Sequence, residues 1–196
     1  MWKTITGLLI VTIPSFAVPP ASQPSTTQTA KSAPKQKFTL MNGAVRFLVP
    51  SAWTEQDRSD DGRKAIYRSP DEKATIYVNV LPQEYPIPQR NEGFREKMKA
   101  SILTAMKKTF AEKKMQMLYG PQSETDDRFL LRIHDREKTD EGILDEVHLY
   151  RAAGLDLLSV TTVVHAETAD EAKPYHVVGE DTCLGIVLGP AEKKQR

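Results

Sequence analysis

The stretch RFLLRIHDREKTDEGILDEVHLYRAAGLDLLSVTTVVH, residues 128–165, decides the fold class. Phe129, Leu131 and Ile133 recur on a two-residue period, as do Ile143, Val147 and Leu149, and that is the period of a strand with one buried face. Three runs emerge, Arg128–His134, Ile143–Arg151 and Leu155–His165. They are joined by Lys138–Gly142 and Ala153-Gly154, which are short enough for antiparallel neighbours. A fourth run, Met115–Gly120, precedes them and is closed by Gly120-Pro121. An antiparallel meander is expected.

Upstream the period changes. Over Asn91–Lys114, at about 100° per residue, Phe94, Met98, Ile102, Leu103, Ala105, Met106, Thr109 and Phe110 share roughly half a helical wheel. Lys97, Lys107, Lys108 and Lys114 fall on the other half. Asn91 suits an N-cap, and Lys113-Lys114 suit the carboxyl-terminal end of the macrodipole. Lys99 lies on the apolar arc, where its stem can run along the core and release its ammonium to water. Before this helix, Pro82, Pro86 and Pro88 mark an irregular loop. KAIYRS and ATIYVNVLP, parted by Pro70-Asp71-Glu72-Lys73, read as a hairpin. Earlier still, FTLMNGAVRFLVP from Phe38 reads as one strand ending at Pro50. Downstream, Thr168-Ala169-Asp170-Glu171 matches a capping box. It opens a last helix expected to break at Pro174 and to resume from Val177 to Leu188, with Gly179 and Gly185 weakening it.

The amino-terminal segments read differently. Residues 1–17 fit a secretory leader: Lys3 supplies the positive charge, Gly7–Ile13 the apolar run, and Ser15-Phe16-Ala17 a small-residue cleavage site. The apolar run falls short of the roughly 20 residues a spanning helix needs, and a buried first strand is the other reading. No cysteine follows it to carry a lipid. Residues 18–37, VPPASQPSTTQTAKSAPKQK, have almost nothing large and apolar to bury and read as a tether. A single domain over 38–190 and a charged tail over 191–196 complete the expected layout. With 39% hydrophobic residues there is enough material for a core. Twenty-seven Lys and Arg against 26 Asp and Glu give +1, which removes the electrostatic case for a dedicated nucleic-acid binder.

The expected fold is α+β, a mostly antiparallel sheet flanked by helices. Phe47-x-x-Pro50-x-x-Trp53, together with this order of elements, resembles the opening of the PsbP/DcrB-like proteins over residues 38–188. The resemblance implies an α/β/α sandwich and an accessory, chaperone-like or assembly role with no shared catalytic constellation. Phe47, Pro50 and Trp53 would be structural, Trp53 closing one end of the core; a ligand platform is the alternative for Trp53. The amino terminus lacks a plastid-like transit peptide, which puts a photosystem role in doubt.

Candidate chemistry is sparse. Cys183, the single cysteine, is the obvious nucleophile, but Leu184, Ile186 and Val187 around it suggest an inert packing position. His134, His148, His165 and His176 lack the i, i+4 spacing of a helical ligand pair. A hairpin whose paired residue numbers sum to about 280 would set His134 opposite Glu146 and His148 opposite Arg132. The two histidines would then be diagonal on one face, near enough for a weak surface metal site, although solvated sheet residues explain them more simply. Asp126-Asp127, Asp140-Glu141 and Asp145-Glu146 read as turn or strand-start acids, and no metal or other cofactor is expected. Nucleotide-loop and nucleophile-elbow motifs are absent. Charge is uneven: the helix carries seven Lys or Arg against three Glu, for +4, while residues 124–146 carry nine acids against four bases, for −5.

These features favour a secreted or periplasmic, non-enzymatic binding module. Lys97, Lys107, Lys108 and Lys114 form its candidate docking face for an envelope protein or anionic surface. A solvated helix face is the plainer account of those lysines. A cofactor-free hydrolase using Cys183 or an acid pair, and a carrier of a small apolar ligand, are the other readings.

Overall fold

β-branched runs paired across short turns build two antiparallel sheets in the computed structural model. It describes residues 34–82, 92–113, 117–124, 128–153 and 156–189, all within the unit Ala33–Arg196. The elements in order are β1 (Lys35–Leu40), β2 (Val45–Pro50), β3 (Thr54–Arg58), β4 (Lys64–Arg68), β5 (Ala74–Pro82), α1 (Glu92–Lys113), β6 (Met117–Glu124), β7 (Leu131–Thr139), β8 (Gly142–Ala153), β9 (Asp156–Ala166), α2 (Ala169–Leu184) and β10 (Val187–Leu188). The large sheet has seven strands in the order β3-β4-β5-β9-β8-β7-β6; the small one runs β1-β2-β10. The leader over 1–17, the tether as far as residue 33, Asn91, Lys114, Pro86, Pro88, the Asp126-Asp127 pair and the tail lie outside the described residues.

The two faces of the large sheet are covered differently. Ile76, Val78, Val147, Leu149, Val160 and Val164 pack with Phe47 and Val49 of the small sheet and with Ala172 and Cys183 of α2. Alternation turns Tyr150, Ala152 and Leu157 to the opposite face, where Met98 and Ile102 of α1 meet them together with Leu130. One helix therefore lies on each side of the sheet, and the fold is α+β. Along α1, Met98, Ile102, Leu103 and Met106 are half-buried and Phe110 is buried, as the wheel predicts, whereas Phe94, Ala105 and Thr109 of the same arc are exposed. Lys99 reaches Glu96 at 2.8 Å.

Several boundaries differ from the sequence reading. The run from Phe38 to Pro50 is a hairpin, not one strand: Met41, Asn42 and Gly43 all take positive φ, and Leu40 pairs with Val45. Asn and Gly tolerate that backbone at little cost, so the Asn42-Gly43 pair reverses the chain. β1 begins at Lys35, three residues before the expected domain start. β3, polar throughout and exposed, gave no apolar signal. Pro82 is the last residue of β5 and pairs with Asp156. Gly120-Pro121 does not close a strand but sits in an irregularity of β6 between the Tyr119 and Gln122 pairs. β6 is an edge strand, where a missing N–H is tolerated.

The helix expected to break at Pro174 is continuous from Ala169 to Leu184. Pro174 lies in its second turn and forfeits only the N–H that would reach the Asp170 carbonyl. Half of the capping box forms: Glu171 N donates to the N-cap Thr168 Oγ1 at 3.4 Å, while the Glu171 carboxylate accepts not from Thr168 N but from Glu167 N, one residue earlier, at 3.1 Å. Arg151 of β8 donates to the Cys183 carbonyl at 2.7 Å and the Leu184 carbonyl at 3.3 Å, placing a cation on the negative end of α2. Val187 and Leu188 leave the helix and pair with β2.

At Gly179 the backbone of α2 packs directly against Thr162 of β9. A Cβ there would lie 1.9 Å from Thr162 Oγ1. Gly179→Ala should therefore cost about 1–3 kcal/mol by overpacking despite its better helix propensity. Denaturant unfolding of Gly179→Ala and of the double variant with Thr162→Ala checks this, because removing the hydroxyl should restore part of the loss. A Gly179→Ala protein as stable as the parent would contradict the close approach.

Candidate functional site

The geometry of the site follows from the pairing of β7 with β8. Thr139 pairs with Gly142 across the two-residue turn Asp140-Glu141, and paired residue numbers sum to 281 all along the ladder, from Leu131–Tyr150 onward. His134 therefore faces Val147, and His148 faces Ile133. The expected sum of 280 is one residue out. That single step overturns the shared face of His134 and His148, because opposite residues of an antiparallel pair point the same way. The two histidines stand on opposite faces, each among its own carboxylates.

On the α2 face, Asp145 is the centre. It is almost fully buried, accepts from Arg136 Nη2 at 2.9 Å, and lies 2.6 Å from His134 Nε2. His176 of α2 brings Nε2 within 3.5 Å of Asp145 Oδ2 but without hydrogen-bond geometry, and both of its ring nitrogens are buried without a hydrogen-bond partner. Tyr119 of β6 tilts against the His134 ring at 5.1 Å. Burial works to raise the Asp145 pKa, yet His134, His176 and Arg136 outweigh it and hold the carboxyl well below the usual range. Beside this cluster, Arg132 donates to Glu180 of α2 at 3.2 Å, tying strand to helix.

On the α1 face, His148 is the centre. Its Nε2 lies 3.1 Å from Asp135 Oδ1 and 3.3 Å from Glu146 Oε2, while its Nδ1 meets Thr161 Oγ1 of β9 at 3.1 Å. The Asp135 side chain is 0% exposed, His148 13% and Glu146 19%, so the cluster has a closed floor and a partly open rim. Burial raises the Asp135 pKa, against the pull of His148. Burial alone would lower the His148 pKa, but its bonds to Asp135 and Glu146 and their charges reverse this and lift it to about 9.

The residues singled out from sequence are scattered. Lys97, Lys107 and Lys108 are exposed on α1. Phe47 is buried against Phe38 and Tyr67, Pro50 ends β2, and the buried Trp53 packs edge-on to Tyr175 of α2 at 6.5 Å. Cys183 is buried within α2, and burial pushes its thiol up to about 12, the reverse of an activated nucleophile. His165 is exposed beside a groove also lined by Lys73 and Glu167. Asp145 and Glu146 are not strand-start acids facing water, because each has a histidine within ion-pair distance. The alternation of charge with apolar residues in Arg132–Arg136 was visible in sequence; the partner each charge would meet depended on register.

No family model and no curated protein matches the chain. Among solved structures, cyanobacterial PsbP (CyanoP) from Synechocystis sp. PCC 6803 is similar over 82% of this chain and 96% of its own, with a TM-score of 0.52 at 9% identity. The chain has a PsbP-like fold. A Bacteroides thetaiotaomicron protein (TM-score 0.45, 11% identity) is similar over 82% of this chain and 50% of its own. A Pseudomonas aeruginosa protein described as a putative regulator (TM-score 0.39, 14% identity) is similar over 81% and 99%.

Two predictions follow from the burial of these groups. A folded pKa of about 9 for His148, above its ordinary 6.5, means stability that is fully present below 6.5 and is lost as pH rises through 9. Unfolding free energy should fall by a few kcal/mol, to order of magnitude, across that window. His148→Gln should flatten the slope; equal slopes in both proteins would refute the assignment. Cys183, for its part, should resist alkylation in the folded protein near neutral pH and react at once in denaturant. Rapid labelling of the native thiol would reopen the nucleophile reading.

Proposed function

We propose that the chain is a non-catalytic accessory module of the cell envelope, working by docking rather than by turnover. The observation that carries this reading is the PsbP-like fold, which spans nearly the whole of a similar structure. The chemistry of the side chains supports it. The single thiol is buried, and the buried acids Asp135 and Asp145 are held by histidine or arginine partners. Among the described residues no helix is long and apolar enough to cross a membrane. Export rests on the leader over residues 1–17. Protein recovered from its own cell should begin at Val18, and an intact Met1 speaks against this part of the reading.

The exposed Lys97, Lys107 and Lys108 of α1 supply the docking surface, directed at an anionic envelope component. Charges acting through water are screened over about 8 to 10 Å near physiological salt. Sedimentation of the full chain with envelope membranes from the source cell should therefore weaken as salt rises and fall several-fold in Lys97→Glu/Lys107→Glu. Stability should change by no more than about ±0.5 kcal/mol per exposed site. Met98→Ala on the packed side should do the converse, lowering stability by about 1–2 kcal/mol, less than a fully buried methionine because Met98 is half-buried, while membrane binding persists at temperatures where the variant is folded. Binding indifferent to both salt and the lysine pair removes the docking role from α1.

A further inference from the structure

We propose that Asp135, Glu146 and His148 form a binding site for one divalent transition-metal ion, with Thr161 orienting the histidine. One ligand atom from each of the three lies within 4.8 Å of the others. Metal bonds of about 2.0–2.2 Å to nitrogen or oxygen, opened to between right and tetrahedral angles, separate neighbouring ligand atoms by about 3 to 3.5 Å. The separations here, 3.1 Å from His148 Nε2 to Asp135 Oδ1 and 3.3 Å to Glu146 Oε2, fall in that range.

The orientation of the ring supports the same conclusion. With Nδ1 turned to Thr161 Oγ1, Nε2 faces the two carboxylates, the position in which it carries either a proton or a metal ion. A proton can fill that place, and a metal can replace it. Asp135 adds an independent sign: its Oδ2 is buried and has no hydrogen-bond partner, which is costly for a carboxylate oxygen without a bound cation nearby. The partly exposed Glu146 gives an entry path. Thr161 is then the outer-shell partner that ligating histidines usually have.

The cluster on the other face, His134, Asp145 and His176, also gathers three ligand types. It is the weaker candidate. Arg136 already neutralises Asp145 at 2.9 Å, and His134 Nε2 stands 2.6 Å from Asp145 Oδ1, too near for an ion to sit between. One nitrogen and two carboxylates on the α1 face suit Zn2+ or a neighbouring first-row ion better than thiolate-seeking metals, and nitrogen ligation disfavours Mg2+.

Zn2+ and Co2+, added separately to the metal-stripped full chain, test the proposal. Calorimetry should give one Zn2+ per chain, Co2+ should develop a visible ligand-field band, and Mg2+ should not compete at equal concentration. Asp135→Asn and His148→Gln should weaken Zn2+ at least tenfold. Thr161→Val should weaken it by about tenfold or more. His134→Gln, on the opposite face, should leave it unchanged. Should Asp135→Asn fail to fold, Glu146→Gln and the imidazole nitrogen resonances of the parent carry the test: Zn2+ must shift His148 Nε2 and leave His134 and His176 in place. Binding that survives both Glu146→Gln and His148→Gln, a shift confined to another histidine, or no stoichiometric binding overturns the site.

Discussion

The structure depends on a two-residue turn. Asp140-Glu141 closes β7 onto β8, and the next residue, Gly142, holds φ at +137° with its α-carbon against β9. A side chain there would bring a Cβ within 2.4 Å of the Ala166 carbonyl oxygen, so the position combines a backbone only glycine adopts easily with a contact only glycine permits. The turn consequently fixes two pairings at once, β7 with β8 and the start of β8 with the end of β9, where Ile143 meets Ala166. From that pivot, alternation assigns every side chain of three strands to a face.

What those faces carry explains why the register matters. The centre of the sheet, β5 with β9, is lined on the α2 side by Ala74, Ile76, Val78, Val80, Val160 and Val164, and its stability comes from apolar burial. β7 and β8 instead bury Asp135, Glu137 and Asp145. An unpaired buried carboxylate costs several kcal/mol, and breaking such a pair by removing one partner costs about 3–5 kcal/mol. A slip of one residue would therefore do more than turn Val147 and Leu149 away from α2. It would separate Asp145 from Arg136 and His134, and Asp135 from His148, leaving buried charge on both sides. The pairs add little net attraction over apolar substitutes, but they penalise the wrong register heavily.

Much of this architecture was legible from residue pattern alone. The meander, the α1 period, the capping box at Thr168 and the β4–β5 hairpin each rest on local signals that tertiary packing reinforces. Where the reading failed, the signal was either weak or resolved only in three dimensions. β3 has no apolar residue to betray it, and Asn42-Gly43, a strong hairpin signal, was hidden inside an apolar run that looked continuous. Gly179 argues against a helix by propensity and for one by packing, since it alone lets α2 approach Thr162. The clusters were out of reach for a sharper reason. His134 and His148 share a face or oppose one another according to a single residue of register, and the sequence between Lys138 and Gly142 accommodates either.

The similarity to cyanobacterial PsbP at 9% identity is understandable on the same physical grounds. Layer order and strand pairing are set by the alternation of apolar and polar residues and by turn placement, which many sequences satisfy. Burying a carboxylate beside a histidine is a different kind of requirement. It demands particular residues at particular register positions, and the layered fold neither supplies nor needs them. A shared fold therefore does not carry a shared site, so function has to be argued from Asp135, Glu146 and His148 and not from the layers that hold them. In this chain the α2 face of β7–β8 is internally neutralised by Arg136, while the α1 face gathers its carboxylates around one imidazole. That asymmetry sets a cluster closed by an arginine apart from one whose carboxylates converge on a single imidazole, although both penalise the wrong register.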